Sequence, residues 1–194
     1  MKKVIGLTGG VASGKSLVTK FFRLLGAEII KADLIGHVIQ QNQSTINELT
    51  KCFGSEILNI QGRIERKKLG AIVFSDNEKL TQLNAIMLPK IKKLIKQFID
   101  RSKSNLIVIE MAILFEAGFE DICDETVVVY SDEAVQLHRL SFRKISESQA
   151  RNIVKSQMDI EKKIKLANYV IRNNSNIYDL KAKVKSLYNY LVKS

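Results

Sequence analysis

The chain has 194 residues, 45% hydrophobic and 26% charged, and Lys+Arg outnumber Asp+Glu 31 to 20 for a net charge of +11. That length suits one full-sized domain with its own core, and no apolar run approaches the ~20 residues that span a bilayer. Two cysteines without CxxC spacing and two histidines, His37 and His138, argue against a disulfide framework, a histidine-built metal site and a Ser-His-Asp triad.

The surplus of positive charge attracts polyanions in general. Lys90, Lys92, Lys93, Lys96, Lys181, Lys183 and Lys185 read as solvated helix faces, and no RGG, zinc-finger or RNP pattern accompanies them. Nucleic acid is therefore not an expected partner. Met-Lys-Lys followed by Val4 to Leu7 is too short for a signal-peptide core, so the expected location is the cytoplasm, with no membrane partner.

In chain order, Lys3 to Leu7 reads as a short strand ending in a glycine turn. Ser16 to Leu25 repeats Val18, Phe21, Phe22 and Leu25 at helical spacing and stops at Gly26. Glu28 to Ile30 reads as a second strand. From Ile35 to about Arg101 the pattern is mainly helical, with breaks near Gly54, Gly62 and Ser75. Ser75 to Glu78 and Ser146 to Gln149 fit capping boxes, and Pro89 is expected to start or kink a helix. Leu106 to Ile109 and Thr126 to Tyr130 are continuously apolar, as in the interior of a parallel sheet. Tyr169 to Ile171 is a last strand before a helix from about Ile177. The alternation predicts an α/β fold with a parallel sheet, in one domain over residues 1–194.

Between the first strand and helix lies Gly9-Gly10-Val11-Ala12-Ser13-Gly14-Lys15-Ser16, a full GxxxxGK[ST] phosphate loop in its proper strand–loop–helix setting. Glycines let backbone N–H groups turn toward phosphate oxygens, and the following helix presents its positive end to them. Lys15 is expected at the β- and γ-phosphates of ATP, and the Ser16 hydroxyl on Mg²⁺. Asp33-Leu-Ile-Gly36 matches the weak DxxG pattern of GTPases, but no NKxD follows. A small phosphate-loop chain with a long helical insertion fits a metabolite or nucleotide kinase better.

The chain resembles the dephospho-coenzyme A kinase family along nearly its whole length. The resemblance rests on Ile5 to Ser16; Leu25-Gly-Ala-Glu-Ile-Ile-Lys-Ala-Asp33; Phe53 to Leu58 with Gly62 to Leu69; Ala112-Ile-Leu-Phe-Glu116; Gln136 to Arg143; and Gln157 and Asn173. It implies phosphorylation of the ribose 3′-hydroxyl of dephospho-coenzyme A by Mg-ATP, the last step of coenzyme A synthesis. It implies a phosphate-loop kinase sheet with an acceptor-binding insertion over about 35–101 and a lid over about 137–160. The implied ATP contacts are residues 9–17, including Leu17, with Arg139, Arg143 and Asn173. Asp33 and Arg66 fall to the acceptor, and Asp33, Lys15 and Arg139 to catalysis.

Read from the residues alone, Asp33 at the sheet edge suits a general base first and, compatibly, a helix N-cap. Arg66 suits a pyrophosphate anchor or a solvated arginine beside Lys67 and Lys68. Arg139 and Arg143 share a helix face, fit to clamp phosphates or to face water. Glu116 can orient water or close a helix. The chain departs from the family pattern at Ala12, Leu17, Lys31, Leu88, Ala112 and Asn168. Two other functions stay open: a kinase for another small acceptor, and an ATP-binding regulatory protein without acceptor turnover.

Overall fold

A computed structural model describes residues 2–142 and 158–193. The expected capping box at Ser146 to Gln149, together with Arg143 and Gln157, lies outside the described residues, as does most of the expected lid. In chain order the elements are β1 (Lys3–Gly9), α1 (Lys15–Leu24), β2 (Glu28–Lys31), α2 (Ala32–Gln40), α3 (Gln43–Phe53), α4 (Arg66–Val73), α5 (Asn77–Arg101), β3 (Leu106–Glu110), β4 (Glu125–Tyr130), α6 (Glu133–Ser141), α7 (Ile160–Leu166), β5 (Tyr169–Arg172) and α8 (Ile177–Lys193). They form two compact units, one of Met1–Lys31 with Ile99–Ser194 and one of Ala32–Phe98.

The first unit is built on a 5-stranded sheet in the order β2-β3-β1-β4-β5, parallel throughout. All of β3 and most of β4 are buried, which is why both read as unbroken apolar runs. Parallel strands end on the same side, so Gly9, Lys31, Glu110, Tyr130 and Arg172 line one edge of the sheet. Register pairs Leu7 with Glu110, Lys31 with Glu110 and Gly9 with Val129. β1 lies between β3 and β4, and the chain winds to opposite edges from it. Ligands bind at such a switch point in open α/β sheets. Beneath it, Ile5 and Leu7 of β1, Val18 and Phe22 of α1, Val127 and Val129 of β4, and Val184 of α8 belong to one buried cluster. Each such side chain contributes about 1.5–3 kcal/mol by leaving water.

The second unit is helical. Ile35 and Ile39 of α2, Ile46, Leu49 and Phe53 of α3, Leu69 and Val73 of α4, and Met87, Ile91 and Ile95 of α5 are buried at helical spacing. Asn42 caps α3 by accepting from the Ser44 N–H at 3.1 Å. The cap before α5 is Asp76 and not the expected Ser75. Asp76 Oδ1 accepts from the N–H groups of Glu78 and Lys79 at 2.9 and 3.3 Å, while Ser75 Oγ donates back to Ala71 and Ile72. A carboxylate outcompetes a hydroxyl for these donors. Pro89 falls inside α5 and does not start it. Lys90 and Lys183, among the lysines read as solvated helix faces, have carboxylate partners. Lys90 Nζ reaches Glu48 at 2.7 Å and Lys183 Nζ reaches Asp179 at 2.7 Å.

Candidate active site

The phosphate loop is forced into shape by its neighbours. A Cβ on Gly9 would lie 2.4 Å from the Val129 carbonyl oxygen, which no side chain tolerates. Gly14 has φ 94° and ψ 17°, the left-handed region, and a Cβ there would meet Asn173 Nδ2 at 2.2 Å. The loop then opens α1 at Lys15, with no acidic residue in its first turn to compete for the helix's positive end. A cavity of about 600 Å³ is lined by residues 10–17 and by Ala112, Arg139, Asn173, Ser175, Ile177 and Leu180. The polar run of the loop faces one side, and Ile177 and Leu180 of α8 add apolar wall.

A polar cluster braces the loop from behind. The Ser13 carbonyl accepts from Asn173 Nδ2 at 2.7 Å, and from Arg139 and the Ser131 hydroxyl at 3.2 Å each. Arg139 also donates to the Ala12 carbonyl at 3.1 Å, to Ser131 Oγ at 2.9 Å and to the Asn173 carbonyl at 2.9 Å. Gln136 Nε2 holds the Ser131 carbonyl at 2.7 Å. Burial lowers the pKa of the Arg139 guanidinium. Arg139 thus lines the cavity while its terminal nitrogens hold the carbonyls of the loop and of Asn173, just past β5, in place. Gln136 entered the sequence reading only as part of the motif it shares with Arg139, and Ser131 was not singled out, because a serine after a strand has no distinguishing pattern.

Glu110 was also missed. It ends β3, and its Oε1 accepts from the Ser16 hydroxyl at 3.1 Å. Its Oε2 is buried without a hydrogen-bond partner; Lys31 Nζ stands 3.7 Å away, within ion-pair reach but too far to donate. An acid closing an apolar strand at the sheet's carboxyl edge was the available signal. A hydroxyl and a carboxylate oxygen are hard donors of the kind Mg²⁺ takes alongside phosphate oxygens. Among the described residues no group of three or more His, Cys, Asp or Glu forms an all-protein metal cage, so these residues fit a metal that arrives with nucleotide.

Asp33 and Arg66 belong to the second unit. α2 begins at Ala32, so Asp33 sits in the helix's first turn and not at its cap position, with its side chain exposed. Arg66 is the exposed first residue of α4. Glu116 Oε1 pairs with Lys163 Nζ at 2.7 Å and accepts from the Met158 N–H at 3.3 Å.

The dephospho-CoA kinase family profile matches residues 3–179. The chain belongs to the dephospho-CoA kinase family. A dephospho-CoA kinase of Fusobacterium nucleatum is 43% identical over 183 residues, covering 94% of this chain and 95% of that one. The dephospho-CoA kinase structure from Campylobacter jejuni superposes with a TM-score of 0.74 at 29% identity, covering 100% of this chain and 98% of its own. A Thermus thermophilus crystal structure reaches a TM-score of 0.86 at 29% identity, with 98% of both chains covered. The fold is that of phosphate-loop kinases, and the chain is a kinase. Among the described residues no helix is long and apolar enough to cross a membrane.

Within this family's frame, two departures find physical reasons. Ala12 adopts φ 54°, a left-handed conformation that explains why glycine is usual there. Asn168 keeps a carbonyl oxygen where the pattern has a carboxylate, accepting from the Thr126 N–H and hydroxyl at 2.8 and 3.0 Å. At Ala112 only the carbonyl is engaged, accepting from Thr8 Oγ1 at 3.0 Å, and proline would present the same oxygen. Nothing in the structure explains Leu17 or Leu88.

Proposed function

We propose that the chain transfers the γ-phosphoryl group of ATP to the 3′-hydroxyl of the ribose of dephospho-coenzyme A, giving coenzyme A and ADP. The observation that carries this reading is the phosphate loop opening onto a 600 Å³ cavity, with Ser16 bonded to Glu110 beside it, in a member of this family. The loop's N–H groups and the start of α1 receive the phosphates, and Lys15 balances charge on the β- and γ-oxygens. Ser16 and Glu110 hold Mg²⁺, which neutralises phosphate charge when bound with the nucleotide. Val11, Ala12, Leu17 and Asn173 complete the nucleotide contacts. Arg139 sets the loop and faces the same anions, a role the family resemblance also gives to Arg143. Asp33 receives the proton of the acceptor hydroxyl, and Arg66 anchors the acceptor's pyrophosphate. The protein acts in the cytoplasm on small molecules, without nucleic acid or membrane as partner.

The test is an acceptor panel with Mg-ATP: dephospho-coenzyme A, AMP, CMP, GMP, shikimate and no acceptor. ADP release only with dephospho-coenzyme A is expected. Turnover with another acceptor replaces the substrate. Tight ATP binding without acceptor-dependent turnover marks a regulatory protein. Nucleic-acid affinity that falls steeply with salt marks a binder of a different class.

A further inference from the structure

Lys163, in α7, is 0% exposed, an uncommon place for an ammonium. Its Nζ is held by two oxygens on the turn that follows β3. One is Glu116 Oε1 at 2.7 Å, from a side chain 23% exposed; the other is the Ala112 carbonyl at 2.8 Å. That carbonyl takes a second bond from the buried Thr8 hydroxyl at 3.0 Å. The adjacent Met111 N–H donates to the Leu7 carbonyl at 3.0 Å. Thr8 directly precedes Gly9, whose backbone fits against the Val129 carbonyl with no room for a side chain. Ala112 itself lines the phosphate cavity, and Glu110 lies two residues before it. One ammonium therefore fastens the point where the start of the phosphate loop meets the exit of the Glu110 strand.

We propose that Lys163 is a positioning residue for phosphoryl transfer: its ammonium, balanced by Glu116, fixes the Ala112 carbonyl and through it the junction of Thr8 with the phosphate loop. This rests on the kinase reading above. A buried cation placed for stability alone is replaceable by an apolar side chain if its counter-ion is removed with it. A cation placed for geometry is not, because the Ala112 carbonyl still lacks its second donor. In phosphoryl transfer a shift of about 1 Å can cost on the order of a hundredfold in rate.

The experiment compares Lys163→Met, Glu116→Leu and the double variant, with the exposed neighbour Lys162→Met as control. Each is assayed well below its own melting temperature for kcat, KM and the Kd of Mg-ADP by calorimetry. Glu116→Leu is expected to lower the melting temperature most, because it strands the fully buried partner. The double variant is expected to recover most of that loss while its kcat stays on the order of tenfold or more below wild type. Its Mg-ADP affinity is expected to be weakened, with acceptor KM unchanged. Lys162→Met is expected to match wild type throughout. If the double variant regains kcat together with its melting temperature, or if Lys163→Met keeps kcat within about twofold of wild type, Lys163 is structural and the proposal fails. Should wild type show no turnover with dephospho-coenzyme A, the proposed acceptor fails, and the Mg-ADP affinities of the same variants still decide whether Lys163 sets the loop.

Discussion

In the proposed reaction Lys15 supplies a charge that backbone N–H groups cannot replace, since the β,γ-bridge develops charge as it breaks. Lys15→Ala is expected to lose about 3 kcal/mol of transition-state stabilisation, roughly a hundredfold in turnover. Steady-state rates at saturating dephospho-coenzyme A check this. Glu110→Gln keeps the oxygen that accepts from Ser16 but removes the charge whose buried Oε2 stands unbonded. Its Mg²⁺ requirement should rise about 10–100-fold, while ATP titrated in EDTA binds as to wild type. Asp33→Asn tests the acceptor side. With Asp33 inside the first turn of α2 and not at its cap, the variant should fold and bind Mg-ATP normally, while turnover falls about 10²–10⁴-fold. Loss of stability with turnover intact would assign Asp33 to the helix, and loss of Mg-dependent ATP binding would move it to the metal.

Helix ends carry the predictions at the next scale. Asp76 satisfies two N–H groups at the start of α5, and Asp76→Ala should cost about 1 kcal/mol in denaturant unfolding. Ser75→Ala should cost less, because Ser75 bonds back to the carbonyls of α4's last turn and the residue before it. The five strands, α1 and the start of α8 were readable to within a residue or two, while the break between α2 and α3 was not: periodicity of apolar residues is a local signal, and Val18, Phe21 and Phe22 are buried as spaced. The cap was misassigned because Ser75 and Asp76 are adjacent candidates, and only the direction in which α4 ends determines which side chain meets the open N–H groups. Pro89 does not start a helix, because it lies inside α5, where the packing of the whole helix outweighs a proline's local preference.

For the whole molecule, a site that binds only the folded state links ligand to stability. Mg-ATP at about a hundred times its Kd should stabilise by roughly 2.7 kcal/mol. For a chain of this size that raises the melting temperature by about 5–10 °C, measurable by scanning fluorimetry, and EDTA or Lys15→Ala should abolish most of it. The phosphate loop, the parallel α/β class and the family were legible in the chain because each rests on residues close together: a glycine loop with its lysine and serine, strands without polar breaks, and short motifs in order. Other features lay out of reach because their partners are far apart in the chain. Glu110 meets Ser16, Arg139 and Asn173 meet Ser13, and Lys163 meets Ala112 only after five parallel strands bring their ends to one edge. A lysine in a charged heptapeptide reads as solvated until the sheet buries it, since burial is a property of what packs against a residue and not of the residues beside it.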